Sequence, residues 1–167
     1  MKYVKKIAII YGVFLLQSLI FEKINIFSVT LNIMPAVLII IALYSNPTES
    51  ALLGAFSGLL TDVVCSRVFG VHIVIYMLLA GLVSNFINKN NNNSPLIMGG
   101  VCFTYTAVYI VVYSLIPTVF GYSLNVGGIA SDVIVNGILA FIIGLLITYF
   151  ITVRSKRLEE KAVESDE

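Results

Sequence analysis

The chain has 167 residues, of which 59% are hydrophobic and 11% charged, whereas an ordinary globular domain is roughly half apolar and a quarter charged. This composition excludes intrinsic disorder, which combines few apolar residues with many charges. A formal charge of +1 without a basic stripe outside the termini argues against nucleic-acid binding. One helical crossing of a bilayer uses about 20 residues, so the length suits six crossings. We therefore expect an all-α, polytopic membrane helical bundle.

The first predicted span is the apolar run Ile7 to Phe21, which follows a basic start. A signal peptide has the same layout, but no small-residue cleavage site follows this run, so we interpret it as an uncleaved membrane helix. The second span contains Pro35, where we expect a kink. The predicted transmembrane domain is residues 1–153, with spans near 7–21, 29–44, 50–64, 71–87, 96–116 and 129–153, and residues 154–167 form a charged cytoplasmic tail.

Lysine and arginine placement predicts the orientation, because cytoplasmic loops carry an excess of both residues. The opposite side of a six-span protein would hold two of them, Lys23 and Arg67. Five spans is the competing count, and it would put the two basic termini on opposite sides of the membrane. With six spans, the side of both termini holds eight basic residues and is predicted to be cytoplasmic: Lys2, Lys5, Lys6, Lys89, Arg154, Lys156, Arg157 and Lys161.

Two acidic residues lie within predicted spans, Asp62 and Asp132. A charged side chain at the centre of a membrane helix costs about 2.5–3.5 kcal/mol on insertion scales, so such residues usually face protein or water. Each belongs to a stripe of small and polar residues spaced by four, and residues at this spacing share one helix face. The two stripes are Ser50, Gly54, Gly58, Asp62 on the third span and Asp132, Asn136, Ala140, Gly144, Thr148 on the sixth.

Small residues at this spacing let two helix backbones approach closely. We therefore expect the third and sixth spans to pack along the two stripes as one polar seam, with Asp62, Asp132, Arg67 and His72 near its external mouth. Helix packing with a polar lock is the first interpretation of this seam. A groove for a partner helix or a substrate is the second.

The sequence carries no recognisable catalytic or cofactor-binding pattern. His72 is the only histidine, and no second histidine or cysteine completes a metal site. No serine stands in a nucleophile elbow, so we expect no enzyme, no cofactor and no metal, with an Asp62–His72 proton relay left open. A stripe on the fifth span is expected to pack within the bundle or, alternatively, to form a ligand-binding wall: Tyr105, Tyr109 and Tyr113.

The block from residue 49 to residue 72 resembles a known family. It is a glycine-spaced helix that ends in Leu-Leu-x-Asp, followed by a short loop with a glycine before the next span. This pattern is similar to that of the bacterial rod shape-determining protein MreD family, and the length, the basic N-terminus and the charged tail agree with it in outline. The asparagine run near residue 90 and the loop around Gly121 are not part of the pattern. The residues that carry the resemblance are Glu49, Gly54, Gly58, Asp62, Gly70 and His72.

The resemblance implies a non-enzymatic scaffold of the bacterial cell-elongation machinery in the cytoplasmic membrane, which maintains rod shape by organising lateral-wall peptidoglycan synthesis. The implied direct partner is MreC, and the indirect partners are the actin-like MreB and the peptidoglycan glycosyltransferase and transpeptidase pair. The implied fold is that of the substrate-binding subunits of energy-coupling-factor transporters. The hypothetical partner face or groove comprises Gly54, Gly58, Asp62, Asp132 and Asn136, with Arg67 and His72 at its external mouth.

A vitamin-binding transporter subunit is the rival function. Six short spans in this length also suit such a subunit, with a ligand under the external loops near Asp62 and Tyr113. An alanine-spaced docking face on the first span would favour it, and Ala8 with Gly12 supplies part of one. A small transporter or channel of another kind is the third interpretation, and the chain lacks the pore-lining charge pattern expected for it.

Overall fold

The protein is all-α within the part of the chain that the structure describes. The computed structural model describes residues 2–20, 25–26, 29–65, 69–90, 94–119, 121, 123 and 125–165, with backbone alone at 2, 25–26, 65, 88–90 and 155–165. These ranges contain six helices and one small antiparallel hairpin, which pairs Asn25 with Thr30. In chain order the elements are α1 (Lys2–Leu19), β1 (Asn25–Ile26), β2 (Val29–Thr30), α2 (Met34–Leu43), α3 (Pro47–Cys65), α4 (Val71–Asn90), α5 (Pro95–Val119) and α6 (Val126–Ser165).

Two helices of the described chain are long and apolar enough to cross a membrane. They are α5, with 25 residues, and the first 29 residues of α6, from Val126 to Arg154. Shorter apolar helices are Met34–Leu43 and Val71–Ile87. Length and composition therefore support membrane helices directly at the C-terminal hairpin of the fold.

The short helix α2 forms the centre of the bundle. Seven of its ten residues are buried, and it contacts α1, α3, α4, α5 and α6. This position follows from its sequence, Met34 to Leu43, which carries no polar residue and so has no face suited to water. The other helices surround α2 mainly as two hairpins, α3 with α4 and α5 with α6.

The prediction of a kink at Pro35 is wrong. Helix α2 begins at Met34, so Pro35 lies in the first turn and not in the middle of a span. A proline is well tolerated there, because its missing N–H is one of those that have no partner within the helix. Asn32 caps the same turn, its Oδ1 accepting the Met34 N–H at 3.1 Å. The predicted span 29–44 is therefore a short strand and a segment without regular structure, followed by a short helix.

Other helix ends also differ from the predicted spans. Helix α3 begins at Pro47 and so includes part of the predicted turn, and α5 continues through Pro117 to Val119. The predicted sixth span and the first part of the predicted tail form one continuous helix to Ser165. Hydropathy marks where a chain leaves lipid, but a helix can continue into water, and this accounts for the longer α6.

Gln17 of α1 binds the non-helical backbone that precedes α2. Its Nε2 donates to the carbonyl oxygen of Leu31 at 2.7 Å, and its Oε1 accepts the Ile33 N–H at 2.9 Å. One amide thus supplies both bonds that a neighbouring β-strand would make. Irregular buried backbone is stable only where other groups satisfy its polar atoms, and Gln17 is buried at this position.

Asn136 of α6 binds the same segment from the other side. Its Nδ2 donates to the Thr30 carbonyl oxygen at 3.1 Å, and its Oδ1 accepts the Asn32 N–H at 2.7 Å. The sequence placed Asn136 in a hypothetical partner groove, whereas its side chain holds an internal segment. Residues 30–33 are therefore fastened to both α1 and α6.

The expected seam between the third and sixth spans is not how these helices pack. Helix α3 packs chiefly on α4, and α6 packs chiefly on α5. A Cβ placed on Gly54 would overlap the carbonyl of Tyr76, and one on Gly58 would overlap the carbonyl of His72. The spacing of four predicts a helix face made of small side chains, but it does not predict which helix packs against that face. The short connection between α3 and α4 decides the partner.

We predict that Gly58→Ala destabilises the protein, because its new methyl group would strike the backbone of α4. Overpacking of this kind typically costs about 1–3 kcal/mol. The matched control is Gly12→Ala on α1, where an added Cβ meets nothing within 4 Å. Thermal unfolding in detergent should show a lower midpoint for Gly58→Ala and no loss for Gly12→Ala. Equal midpoints would contradict the α3–α4 packing described here.

Candidate functional site

The carboxylate of Asp62 caps the N-terminus of α4 from the end of α3. Its Oδ2 accepts the N–H of Gly70 at 3.0 Å and of Ile73 at 3.1 Å, and its Oδ1 accepts the N–H of His72 at 3.2 Å. The first N–H groups of a helix lack partners within the helix, and negative charge is stabilised there. The connection turns at Gly70, whose φ of 96° is in the region that favours glycine.

The same carboxylate orients the ring of His72. Asp62 Oδ1 lies 2.7 Å from Nδ1 of His72, and Nε2 of the ring lies 3.0 Å from the hydroxyl of Tyr109 on α5. Both Asp62 and His72 are 4% exposed. When Nδ1 carries the proton and donates to the carboxylate, a neutral ring accepts the Tyr109 O–H at Nε2. This chain of three side chains joins α3, α4 and α5.

Three tyrosine rings surround the histidine. The ring centroids of Tyr76, Tyr109 and Tyr113 lie 5.7, 6.0 and 4.6 Å from that of His72. The expectation that the tyrosine stripe packs within the bundle is confirmed at Tyr105 and Tyr109, which are buried. The sequence did not predict the bond from Tyr109 to His72, because a helical stripe gives a face but no partner atom.

A cavity of about 370 Å³ adjoins this cluster, and we call it the outer cavity. It lies at the end of the bundle where α1 and α3 end and α2 and α4 begin, which the predicted orientation makes external. The cavity combines aromatic, amide and hydroxyl side chains. Its lining residues are Phe14, Gln17, Thr30, Leu31, Asn32, Met34, Thr61, His72, Tyr109 and Tyr113.

The structure brings together part of the site that the sequence predicted. Asp62 and His72 are in direct contact, and Gly58 lies against the backbone of α4 beside them. Asp132 is only partly buried, and within the described chain no hydrogen bond or ion pair joins it to this cluster. Arg67, predicted at the external mouth, lies outside the described residues.

A polar cluster at the opposite end of the bundle was not predicted. The ammonium group of Lys6 on α1 lies 2.8 Å from a carboxylate oxygen of Glu49 on α3. It also donates to the hydroxyl of Ser45 at 2.6 Å and to the carbonyl oxygen of Tyr44 at 2.8 Å. From the sequence, Lys6 contributes only to the predicted membrane orientation. The same positive charge also forms the ion pair with Glu49. These contacts attach α1 to the connection between α2 and α3.

We call the three side chains of Asp62, His72 and Tyr109 the outer cluster, and their hydrogen bonds form a structural network. The Asp62 carboxylate already accepts three backbone N–H groups and one ring N–H, and both nitrogens of His72 have partners. Over the residues that the structure describes, no group of three or more His, Cys, Asp or Glu side chains is placed to hold a metal ion. The cluster therefore positions helices and one wall of the outer cavity.

Comparison with known proteins gives no family assignment. No family model, no curated protein and no solved structure matches the chain. The fold, the outer cluster and the outer cavity are therefore the observations on which a function rests.

We predict that Asp62→Ala strongly destabilises the protein. The substitution leaves three N–H groups and one ring nitrogen without an acceptor, and each buried orphan costs about 1–3 kcal/mol. Asp132→Ala is the matched control, since it removes a partly buried carboxylate near the start of another helix, α6. Unfolding in detergent should give a loss of at least about 3 kcal/mol for Asp62→Ala and a small change for Asp132→Ala. Comparable losses would contradict the capping role.

Proposed function

We propose that this chain is a non-enzymatic membrane scaffold of the bacterial cell-elongation machinery, similar to the MreD family. The observation that carries the proposal is that five of the six residues of the resemblance, all except Glu49, act as one structural unit. Gly54 and Gly58 admit the backbone of α4, and Asp62 caps that helix next to Gly70 and His72. Residues that together pack and cap one helix support a fold similar to that of the MreD family more strongly than a glycine-rich helix alone would.

The exterior of the bundle supports a multi-pass arrangement. Large apolar side chains are exposed on the outward faces of helices other than α5 and α6, for example Leu15 on α1, Leu52 on α3 and Leu82 on α4. Contiguous exposed apolar surface of this kind suits lipid and not water. Helices α1, α3 and α4 have 18, 19 and 20 residues, which gives lengths of about 27–30 Å, close to the hydrocarbon core.

The second crossing differs from the other five. Helix α2 has ten residues, which is about 15 Å and half of the hydrocarbon thickness. Residues 29–33 would complete this crossing in non-helical form, satisfied by Gln17 and Asn136. With both termini in the cytoplasm of a bacterial cell, the outer cluster lies at the external side of the membrane and Lys6 at the cytoplasmic side.

A partner helix needs a surface other than the glycine face of α3, because α4 fills that face. The α4–α5 groove is a mostly apolar opening with a volume of about 670 Å³, and Phe86, Val101 and Thr104 are among its lining residues. Gly100 also lines it, and a Cβ there would meet nothing within 4 Å. A glycine without an internal packing role leaves room for close approach by another helix. We assign the membrane helix of MreC to this groove.

A substrate-binding subunit of a vitamin transporter is the second candidate function. The outer cavity favours it, since its 370 Å³ lies within the range of about 300–1,000 Å³ typical of small-molecule sites. The two functions differ in what the cell loses with the protein. A scaffold is needed for shape, and a transporter subunit is needed for growth on a scarce vitamin.

The experiment that tests the proposal is depletion of the protein in its native cell, with cell width followed by microscopy. The scaffold function predicts loss of rod shape within a few divisions and recovery when the protein is restored. Unchanged shape together with a vitamin-dependent growth defect would replace it with the transporter function.

We predict that Gly100→Leu abolishes co-purification with MreC and leaves the protein folded. The new side chain would occupy the α4–α5 groove without overlapping any atom of the protein near its Cβ. Gly12→Leu is the matched control, an equal substitution at the other open helical position, on α1. Affinity capture from solubilised membranes, with a melting curve for each variant, is the measurement. Retention of MreC by both variants would remove this groove from the account.

A further inference from the structure

We propose that the outer cavity binds a small uncharged molecule with a flat ring, held between the aromatic side chains that line the cavity and the amide of Asn32. This goes beyond the scaffold function and does not depend on it. It gives the chemistry of the site on which the second candidate function rests. The cavity has residues from α1, the segment from Thr30 to Asn32, and α2, α3, α4 and α5, so a ligand here would contact six parts of the fold.

Ring-shaped side chains provide one part of the lining. Phe14 comes from α1, His72 from α4, and Tyr109 and Tyr113 from α5. The last two rings are stacked, with an interplanar angle of 22° and centroids 6.0 Å apart. Aromatic faces attract flat rings in offset-stacked or edge-on geometry, at about 0.5–1.5 kcal/mol per pair beyond area burial. The cavity is therefore suited to a planar ring and not to a branched aliphatic chain.

Polar groups of the lining are able to bind the edge of such a ring. The side-chain oxygen of Asn32 caps α2, and its NH₂ group makes no hydrogen bond with any residue that the structure describes. Thr61 donates its hydroxyl proton to the Ser57 carbonyl oxygen at 3.0 Å and retains its lone pairs as acceptors. A ligand edge with an acceptor beside a donor would match one amide NH₂ and one hydroxyl oxygen.

The charge of the lining selects against ions. No Lys, Arg, Asp or Glu is among the described residues that line the outer cavity. The nearby charge, on Asp62, has a side chain that is 0% exposed, behind His72 and the start of α4. An ion that contacted only these described lining residues would lose hydration without a compensating charge. An uncharged ring should therefore bind more tightly than its ionised analogue of the same shape.

Two probes of equal shape test this selection. Nicotinamide is an uncharged ring with an amide that has a donor and an acceptor, and nicotinate is the same ring with a carboxylate. The full chain is purified, placed in nanodiscs and titrated with each compound, with adenine as a larger uncharged ring. Binding is followed by saturation-transfer NMR. We expect saturable binding of an uncharged ring with a Kd of about 1 mM or tighter, and at least tenfold weaker binding of nicotinate, a difference of about 1.4 kcal/mol.

Variants locate the binding in the outer cavity. Tyr113→Leu removes one aromatic wall, and Asn32→Asp keeps the capping oxygen of α2 but replaces the NH₂ donor. Each should weaken the uncharged ring at least tenfold. Tyr149→Leu is the matched control, since Tyr149 is an exposed tyrosine on α6, and it should leave binding unchanged. A melting curve for each variant separates loss of the site from loss of the fold.

Failure of saturable binding by both uncharged rings would overturn the proposal. So would equal binding of nicotinamide and nicotinate, or an equal effect of Tyr113→Leu and Tyr149→Leu. None of these results would alter capture of MreC or the effect of depletion on cell width. The ligand site and the scaffold function can therefore fail separately.

Discussion

The outer half of this fold depends on the hydrogen bonds that the Asp62 carboxylate accepts. This carboxylate supplies the N-terminal cap of α4, fixes the turn at Gly70 and orients His72, which in turn reaches Tyr109 on α5. A buried anion is costly unless hydrogen bonds or an opposite charge compensate it. Here four donors and the positive end of a helix offset that cost, so one side chain connects three helices.

A second constraint is the half-length helix α2. Because α2 is short, the chain before it runs as non-helical backbone between α1 and α6. Gln17 and Asn136 satisfy that backbone from both sides, and the remaining space is the outer cavity. The cavity is thus a consequence of the short α2 and the non-helical segment that precedes it. Its position between α1, α3, α4 and α5 connects any occupant to the packing of those helices.

The sequence predicted that the described chain is all-α and that Asp62 lies near His72, because long apolar runs favour helices and a short loop separates the two residues. It was wrong about the partner of the glycine stripe, since a spacing of four describes one helix and not its neighbour. The role of Gln17 could not be predicted, because a single amide on an apolar helix forms no repeating pattern that would indicate its partner. The polarity of Asn136 is visible in the sequence, but its partner is not. That partner is a non-helical segment 104 residues away, and hydropathy gives no sign of it.

Hydrogen exchange of single backbone amides, measured by NMR on the protein in nanodiscs, tests the central claim most directly. The amides of Gly70, His72 and Ile73 are bonded to a buried carboxylate, whereas Gly128 is bonded to Asn125 at the exposed start of α6. The account predicts exchange roughly a hundredfold slower at the first three positions than at Gly128, because they open only with part of the fold. Equally fast exchange at all four would contradict a closed cap at Asp62 and the outer architecture built on it.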